Sequence, residues 1–502
     1  MSFFVFQYID DYKTFIRTVG SLLLRDASPN ATDEEKTSRV EQFVNDAFEV
    51  ESKIVDVKAS SMRHPNPFAP EERMTLQQLS DQTSGAAAVD GSTPVVVPEK
   101  AYLLNLTNWI KDEMAAEAKT IKRKLNNYIV WRLAHRYAQD LSWEYTTAGQ
   151  QFEMDILGAK LFPSTWWYCV TKLEVFMHEA MGAMLVREHF GEANKRKAHE
   201  ITDHVKTALM ESLSSTLHWM SVESRNKAEQ KLLDSIMKIG YPDYMMREDT
   251  LNMKFATFTV NQDTYFQNLL SSNKVLQKYI NEQFTNFGKN SQRALYYSPW
   301  KELIVPAGLL QFPIYDHTSP NYMNFGSMGS IVGTALVHAV DAEGEEEQEY
   351  QRVRQCMVDA YSDAVQGPFG QGPLSAKIKV DMMYYTPQAF RDSSGVKLAY
   401  QAYKDWMAET GGEKRMPGAA WTNEQSFFVA FAQVICCWVD ETVTPYGSQS
   451  SHCIKHSYLG NSRHRKTYGE VNRALAQLKE FQEAFQCDSG AKMVAPSRCQ
   501  LY

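Results

Sequence analysis

The helical period runs almost unbroken through the first 250 residues, and it limits the folds open to this chain more than any other feature. NATDEEKTSRVEQFVNDAFEVESKIVDV opens with an N-cap candidate and acidic first-turn residues. It then places apolar side chains three and four positions apart, which is one face of a helix. HEITDHVKTALMESLSSTLHWM and SRNKAEQKLLDSIMKI repeat the pattern. Stripes of this kind are buried by packing helix on helix. The segment 83–98, TSGAAAVDGSTPVVVP, has loop composition and is expected at the surface. Near 240 the character changes: IGYPD punctuates the helices, and short extended runs such as ALYYSPWKELIVPAG follow. The expectation is a mainly α protein with a small β component. A helical part covers about 1–215 and a mixed part about 216–502, with no internal repeat.

Composition narrows the function classes. A chain of 502 residues exceeds one ordinary core, so two large domains, or one with an insertion, are expected. Apolar residues make up 44% and aromatics 12%, enough for a sizeable core. The formal charge of −8 argues against a nucleic-acid protein, whose footprint is a basic stripe. No apolar run approaches the ~18 residues of a membrane span. The opening MSFFVFQYIDDYKTF has an acidic pair where a signal peptide would be cleaved. Six of the seven cysteines lie beyond residue 350. Asn30-Ala-Thr and Asn105-Leu-Thr are glycosylation sequons that suit a secreted chain. Composition alone leaves the redox compartment open.

Three places invite comparison with the zinc motif His-Glu-x-x-His. That motif works on a helix because residues four apart differ by about 400°, roughly 40° net, so both imidazoles face one ion. The glutamate beside the first histidine activates the metal-bound water. In HEITDH (199–204) the histidines are five apart and cannot share an ion. His178-Glu179 lacks a second histidine. TALVH (334–338) has an apolar helix but one ligand. Taken alone, His338 is more simply a satisfied core residue than a metal ligand.

The surroundings of His338 change that weighting. VPAGLLQFPIYDHTSPNYMNFGSMGSIVG (305–333) resembles the segment that leads into the zinc helix of the neprilysin family of zinc endopeptidases. KIGYPDY (238–244), QCMV (355–358), FFVAFAQVICC (427–437), LNNYIVWRLAHRY (125–137) and the ending EAFQCDSG…CQLY are similar to that family too, in order and over nearly the whole chain. The resemblance implies two mainly helical lobes around a chamber, with a thermolysin-like site in the C-terminal lobe. It also implies that the chain starts late. YKTFIRTVGSLLL (12–24) resembles a helix well inside the usual ectodomain, so the anchor, spanning helix and first part of the cap lobe are expected to be missing.

Carried over by position, the first zinc histidine falls on Thr334 and the catalytic glutamate on Ala335, while the second histidine survives as His338. The third ligand belongs to a Glu-Asn-x-Ala-Asp helix, matched here by PQAFRDSSGVKLAYQAY (387–403). Thr386 as N-cap and Pro387 at the first position would start that helix. Its ligand position is Gln388, and its aspartate survives as Asp392; Asp341 matches the aspartate after the zinc helix. The resemblance puts the family's peptide-pairing Asn-Ala at Arg293-Ala294. It puts the substrate and oxyanion contacts at His456 and Arg463, in a segment one residue longer than the family's.

Threonine and glutamine are poor zinc ligands. Ala335 cannot take a proton from a bound water, a loss that typically costs about 10²–10⁴-fold on its own. The expectation is therefore a neprilysin-like protein without zinc and without peptidase activity, acting by binding or as a subunit of an assembly. The alternative is a zinc endopeptidase with a rebuilt ligand set, His338 with Asp341 or Asp392; no Ser-His-Asp or Cys-His spacing supports a different nucleophile. If the metal is absent, His338 is expected to bond to Asp341 or Asp392. The resemblance further implies a Cys356–Cys499 disulfide and an extracellular or secretory-pathway location. Family cysteines matching Cys169, Cys436 and Cys487 pair with upstream cysteines not found in this sequence, whereas Cys437 and Cys453 are additional, so Cys453 could re-pair with Cys436 or Cys437. Residues 1–60 and the region round Cys169 are expected to contact another polypeptide, either a separate subunit, such as a neprilysin-like paralogue, or the missing N-terminal segment, and the cleft could hold a peptide.

Overall fold

Helices form nearly everywhere the 3.6-residue period is written in the computed structural model, which describes residues 9–61, 72–83, 91–97, 99–157, 165–215, 220–282, 294–297, 301–341, 348–362, 382–435 and 467–499. The chain divides into two compact units, Met1–Phe162 with Thr442–Ser448, and Pro163–Glu441 with Gln449–Tyr502. This division falls before the boundary at about 215 expected from the sequence. The reason lies in Glu192–Ser215, whose buried stripe of Ile201, Val205 and Leu209 belongs to the core of the second unit.

The first unit contains α1 (Ile9–Ala27), α2 (Asp33–Ser61), β1 (Glu72–Thr75), α3 (Leu76–Thr83), β2 (Pro94–Val97), α4 (Lys100–Tyr137) and α5 (Trp143–Leu157). A capping box starts α2: Thr32 Oγ1 accepts from the Glu35 N–H at 3.3 Å, and the Glu35 carboxylate accepts from the Thr32 N–H at 3.0 Å. Glu117 breaks α4 with non-helical φ −153° and ψ 82°. Trp131, fully buried on α4, meets Phe15 edge-on and stacks on His135 at 5.2 Å, and its indole N–H donates to Tyr12 Oη at 2.8 Å. The buried carboxylate of Asp46 accepts from Arg123 Nε (2.9 Å), Arg123 Nη2 (3.1 Å) and Asn127 (2.8 Å), fastening α2 to α4. The segment read as a loop ends in a strand. Its three valines in Pro94–Val97 pair antiparallel with β1, Glu72 opposite Val97, as β-branched residues favour.

The second unit contains α6 (Thr165–Phe176), α7 (His178–His189), α8 (Glu192–Ser215), α9 (Val222–Leu233), β3 (Ile236–Gly240), α10 (Glu248–Phe255), α11 (Tyr265–Glu282), β4 (Leu295–Tyr297) and β5 (Glu302–Pro306). It continues with α12 (Asn321–Asn324), α13 (Ser330–Asp341), α14 (Gln348–Ser362), α15 (Met382–Thr410), α16 (Asn423–Ile435), α17 (Thr467–Ala476) and α18 (Lys479–Phe485). The helical signal of SRNKAEQKLLDSIMKI therefore stops at Leu233, and IMKIG becomes a strand. Parallel pairing with β5, all of whose residues are buried, outweighs local propensity there. Gly240 ends the strand at φ +76°, a conformation glycine adopts freely. The sheet order is β3-β5-β4, with β4 antiparallel to β5.

The second core centres on α13, where Val332, Leu336, Val337, Ala339 and Val340 are fully buried. A single π-helical turn, Phe325–Gly329, joins α12 to α13. The carboxylate of Glu413 caps this helical run, accepting from the Asn321 N–H (2.8 Å), the Tyr322 N–H (2.7 Å) and Tyr403 Oη (3.1 Å). It thereby satisfies donors that a helix start leaves unpaired. At Gly326 a Cβ would lie 2.2 Å from the Phe427 carbonyl oxygen, so only glycine permits α16 to lie so near. Helix α15 begins at Met382, not at Pro387, which sits in its second turn and gives no N–H to the carbonyl four residues back. Cys356 on α14 is disulfide-bonded to Cys499, Cα atoms 5.7 Å apart, as the family resemblance implies. Among the described residues no helix is long and apolar enough to cross a membrane.

Two stability outcomes follow from these contacts. The disulfide closes a loop of 143 residues, so Cys499→Ser is expected to lower unfolding stability by up to about 5 kcal/mol in the chain-entropy limit, read by denaturant titration. Gly326→Ala, which must push a helix backbone aside, is expected to cost about 1–3 kcal/mol; an unchanged melting temperature would show that α16 can shift freely.

Candidate functional site

Helices α13 and α15 cross with their backbones in contact. A Cβ on Gly333 would lie 2.5 Å from the Gly395 carbonyl oxygen, and one on Gly395 only 2.4 Å from the Thr334 nitrogen. One turn away, a Cβ on Gly329 would meet the Ala399 Cβ at 3.4 Å. Moving one turn back on α13 thus moves one turn forward on α15, so the helices run antiparallel. The next turn in the other direction carries Val337 and His338 towards Arg391. This register brings the carried-over positions of α13 alongside the helix that holds Gln388 and Asp392.

Thr334 and His338 share a face of α13 because they are four apart. The Thr334 hydroxyl is already engaged, donating to the Ser330 carbonyl at 3.0 Å, and Ala335 is buried. His338 is exposed, yet enough protein surrounds it that desolvation, then the positive charges of Arg391 and Lys231, push its pKa down to about 4. Its imidazole is therefore neutral at physiological pH. Asp392 is buried, whereas His338 is exposed. Asp341 ends α13 and Gln388 lies in α15, the side chains of both being outside the described residues.

Ala294 is buried immediately before β4, while Arg293 lies outside the described residues, as do His456, Arg463, Cys436, Cys437 and Cys453. One edge of β4 pairs with β5, Tyr296 opposite Leu303, and the other has no partner strand among the described residues. Both β4 and α9 pack against α13. Lys231 on α9 places its ammonium 5.9 Å from the ring centre of Tyr296 on β4. Arg391 and Lys231 were not among the residues singled out from sequence. Arg391 carried a readable signal, since it stands where the Glu-Asn-x-Ala-Asp pattern has alanine; Lys231 carried none.

Of the other expected positions, Asn30 is exposed in the turn before α2, as a glycan acceptor should be. Asn105 is exposed as well, but it lies within α4 and its amide donates to Ser61 Oγ at 3.0 Å. Cys169 is an exposed free thiol, and Cys487 is a half-buried one packed on the second core.

The donor set can be set against what a zinc ion requires, namely three soft or anionic protein ligands and an open fourth position. Thr334 offers a hydroxyl committed to its own helix, Ala335 offers nothing, and the residue at the third position is an amide. Of the positions carried over from the zinc site, only His338 is a suitable ligand. Among the described residues no group of three or more His, Cys, Asp or Glu side chains is placed to hold a metal ion. These residues do not fit the ion.

Two models of peptidase family M13 match the chain, one over residues 6–242 and one over residues 294–501. Human endothelin-converting enzyme 1 is 31% identical over 440 residues, which cover 82% of this chain and 53% of that protein. The chain thus spans about half the length of such relatives. A zinc metalloprotease of Mycobacterium tuberculosis in complex with an inhibitor superposes with a TM-score of 0.71 at 18% identity, over 98% of this chain and 74% of that one. A Haemonchus galactose-containing glycoprotein complex gives 0.64 at 18% identity, over 97% of this chain and 75% of that one. The structural likenesses speak for the fold.

The environment of His338 has a pH signature. Its folded pKa of about 4 lies below the ordinary 6.5, so between these values the unfolded chain takes up a proton that the folded chain refuses. Stability from this group is present above pH 6.5, falls as pH drops from 6.5 to 4, and levels off below. The imidazole signal followed by NMR is expected to titrate near pH 4. A midpoint near 6.5 would mean that the ring is not enclosed.

Proposed function

We propose that this chain, which belongs to peptidase family M13, is a member that does not hydrolyse peptides and acts by binding them or by joining an assembly. The observation that carries the reading is the state of Thr334: where a first zinc ligand is needed, a hydroxyl is hydrogen-bonded into its own helix. Ala335 beside it has no carboxylate to take a proton from water, and the third position is Gln388. With the first and third ligands and the base replaced, the reaction would lose both its Lewis acid and its proton acceptor.

The peptide-binding half of such a site is independent of its metal. An extended peptide can pair through main-chain hydrogen bonds alone along the edge of β4 that has no partner strand among the described residues. For the assembly reading, helix α6 offers an exposed face: Trp166, Cys169 and Leu173, spaced by three and four, are all exposed. A glycoprotein complex among the structural neighbours agrees with this. We place the protein in an oxidising compartment, outside the cell or in the secretory pathway, because the Cys356–Cys499 pair suits it.

Elemental analysis and cleavage assays test the reading. Purified protein is expected to hold far less than one zinc per chain and to leave a neprilysin-type peptide substrate intact. Thr334→His, Ala335→Glu and Gln388→Glu together are expected to restore zinc binding before they restore cleavage. Stoichiometric zinc with chelator-sensitive hydrolysis in the unaltered protein would instead establish a rebuilt ligand set. Native mass of protein from its own source tests the assembly: a lone, monodisperse chain with no covalent partner at Cys169 argues against it.

A further inference from the structure

The first unit encloses a titratable ring where three helices meet. His135 on α4 is half-buried and stacks on Trp131 one turn before it, ring centres 5.2 Å apart. Phe15 of α1 meets it edge-on at 5.4 Å, Phe152 of α5 edge-on at 6.5 Å, and Tyr12 of α1 tilts against it at 6.5 Å. Phe15 and Phe152 also stack on each other at 4.6 Å. The rings around His135 are thus the ones by which α1 and α5 pack on α4. The charged groups of these helices are engaged with one another. Glu51 of α2 accepts from Tyr12 and Arg132, and Glu41 of α2 accepts from Arg17 of α1. Arg25 of α1 donates to Asp26 and to Glu144 of α5, while Glu153 of α5 accepts from Gln139. Lys13 of α1 lies over the ring of Phe48. Tyr12 itself stays neutral, its pKa pushed up by burial and then by Glu51.

We propose that His135 is an acid-sensitive latch: neutral, it lets α1 and α5 close on α4, and protonated, it loosens them, so that the first unit opens in acidified compartments. The inference goes beyond the reading above and uses none of its residues. A charge placed among four aromatic rings loses its hydration, and no carboxylate reaches in to replace it. Burial first, then the positive charge of Arg132, hold the imidazole pKa below its ordinary 6.5. The unfolded chain therefore takes up a proton at a pH where the folded unit still refuses it. Stability from His135 is present above pH 6.5 and is lost as the pH falls below it. That range is the one in which imidazole switches act.

Hydrogen exchange of the full chain makes the test, read segment by segment by mass spectrometry at about pH 7.5 and about pH 5 and corrected for intrinsic rates. Helices Ile9–Ala27 and Trp143–Leu157 are expected to lose protection several-fold in acid. The ceiling is about 30-fold, set by a site that titrates near 6.5 when released and stays neutral when enclosed. His135→Phe keeps a ring and removes the proton site, and it is expected to abolish the change. Should phenylalanine not fit, His135→Gln is expected to do the same. His338 belongs to the second unit, so its own loss of stability is read in other segments. Unchanged protection of the two helices overturns the proposal, and so does a loss that survives both substitutions. Protection gained in acid overturns it as well, because an imidazolium would then be held on the indole face of Trp131.

Discussion

The contact between Gly333 and Gly395 determines what can stand near His338. Two helices approach until the backbone of one fills the space a Cβ would take on the other. Close approach of this kind leaves little room for axial sliding, because a shift by one residue would drive Val332 or Val396 into a backbone. The register is thus fixed by atoms that make no chemistry. Everything on the exposed face of α13 and α15, whether metal ligand or cation, inherits its position from that crossing.

This explains how a scaffold can keep its geometry while its chemistry departs. The buried residues of α13, the Glu413 cap and the covalent tie from α14 to Cys499 all act away from Thr334 and His338. None of them depends on a metal ion. Exchanging ligand side chains on the open face leaves them untouched, so substitution there is governed by function and hardly by stability. On the reading proposed above, the residues at the zinc-ligand positions and Arg391 are departures of the same kind from the family pattern, made on one rigid frame.

Much of this was legible in the sequence. The helical period located α2, α8 and α9, and the order of short motifs identified the family and the Cys356–Cys499 pair. The misses have physical causes. Ile236–Gly240 carries a helix-compatible pattern and becomes a strand because β5 offers it a fully buried partner 66 residues away, Ile236 opposite Glu302. Pro94–Val97 was hidden by the glycine- and serine-rich residues before it. Lys231 could not be found, since nothing local in α9 tells that its ammonium lies over a ring on β4. Arg391 could have been found, had the alanine position of the pattern been weighed as closely as the ligand positions.

The burial of β5 bears on a different hazard. A strand edge is a template on which another strand, including one from a second copy of the same chain, can grow. β5 lies between β3 and β4 and is buried throughout, so its apolar run of Leu303, Ile304 and Val305 presents no edge of its own. As long as the sheet is folded, that run is withheld from any passing chain.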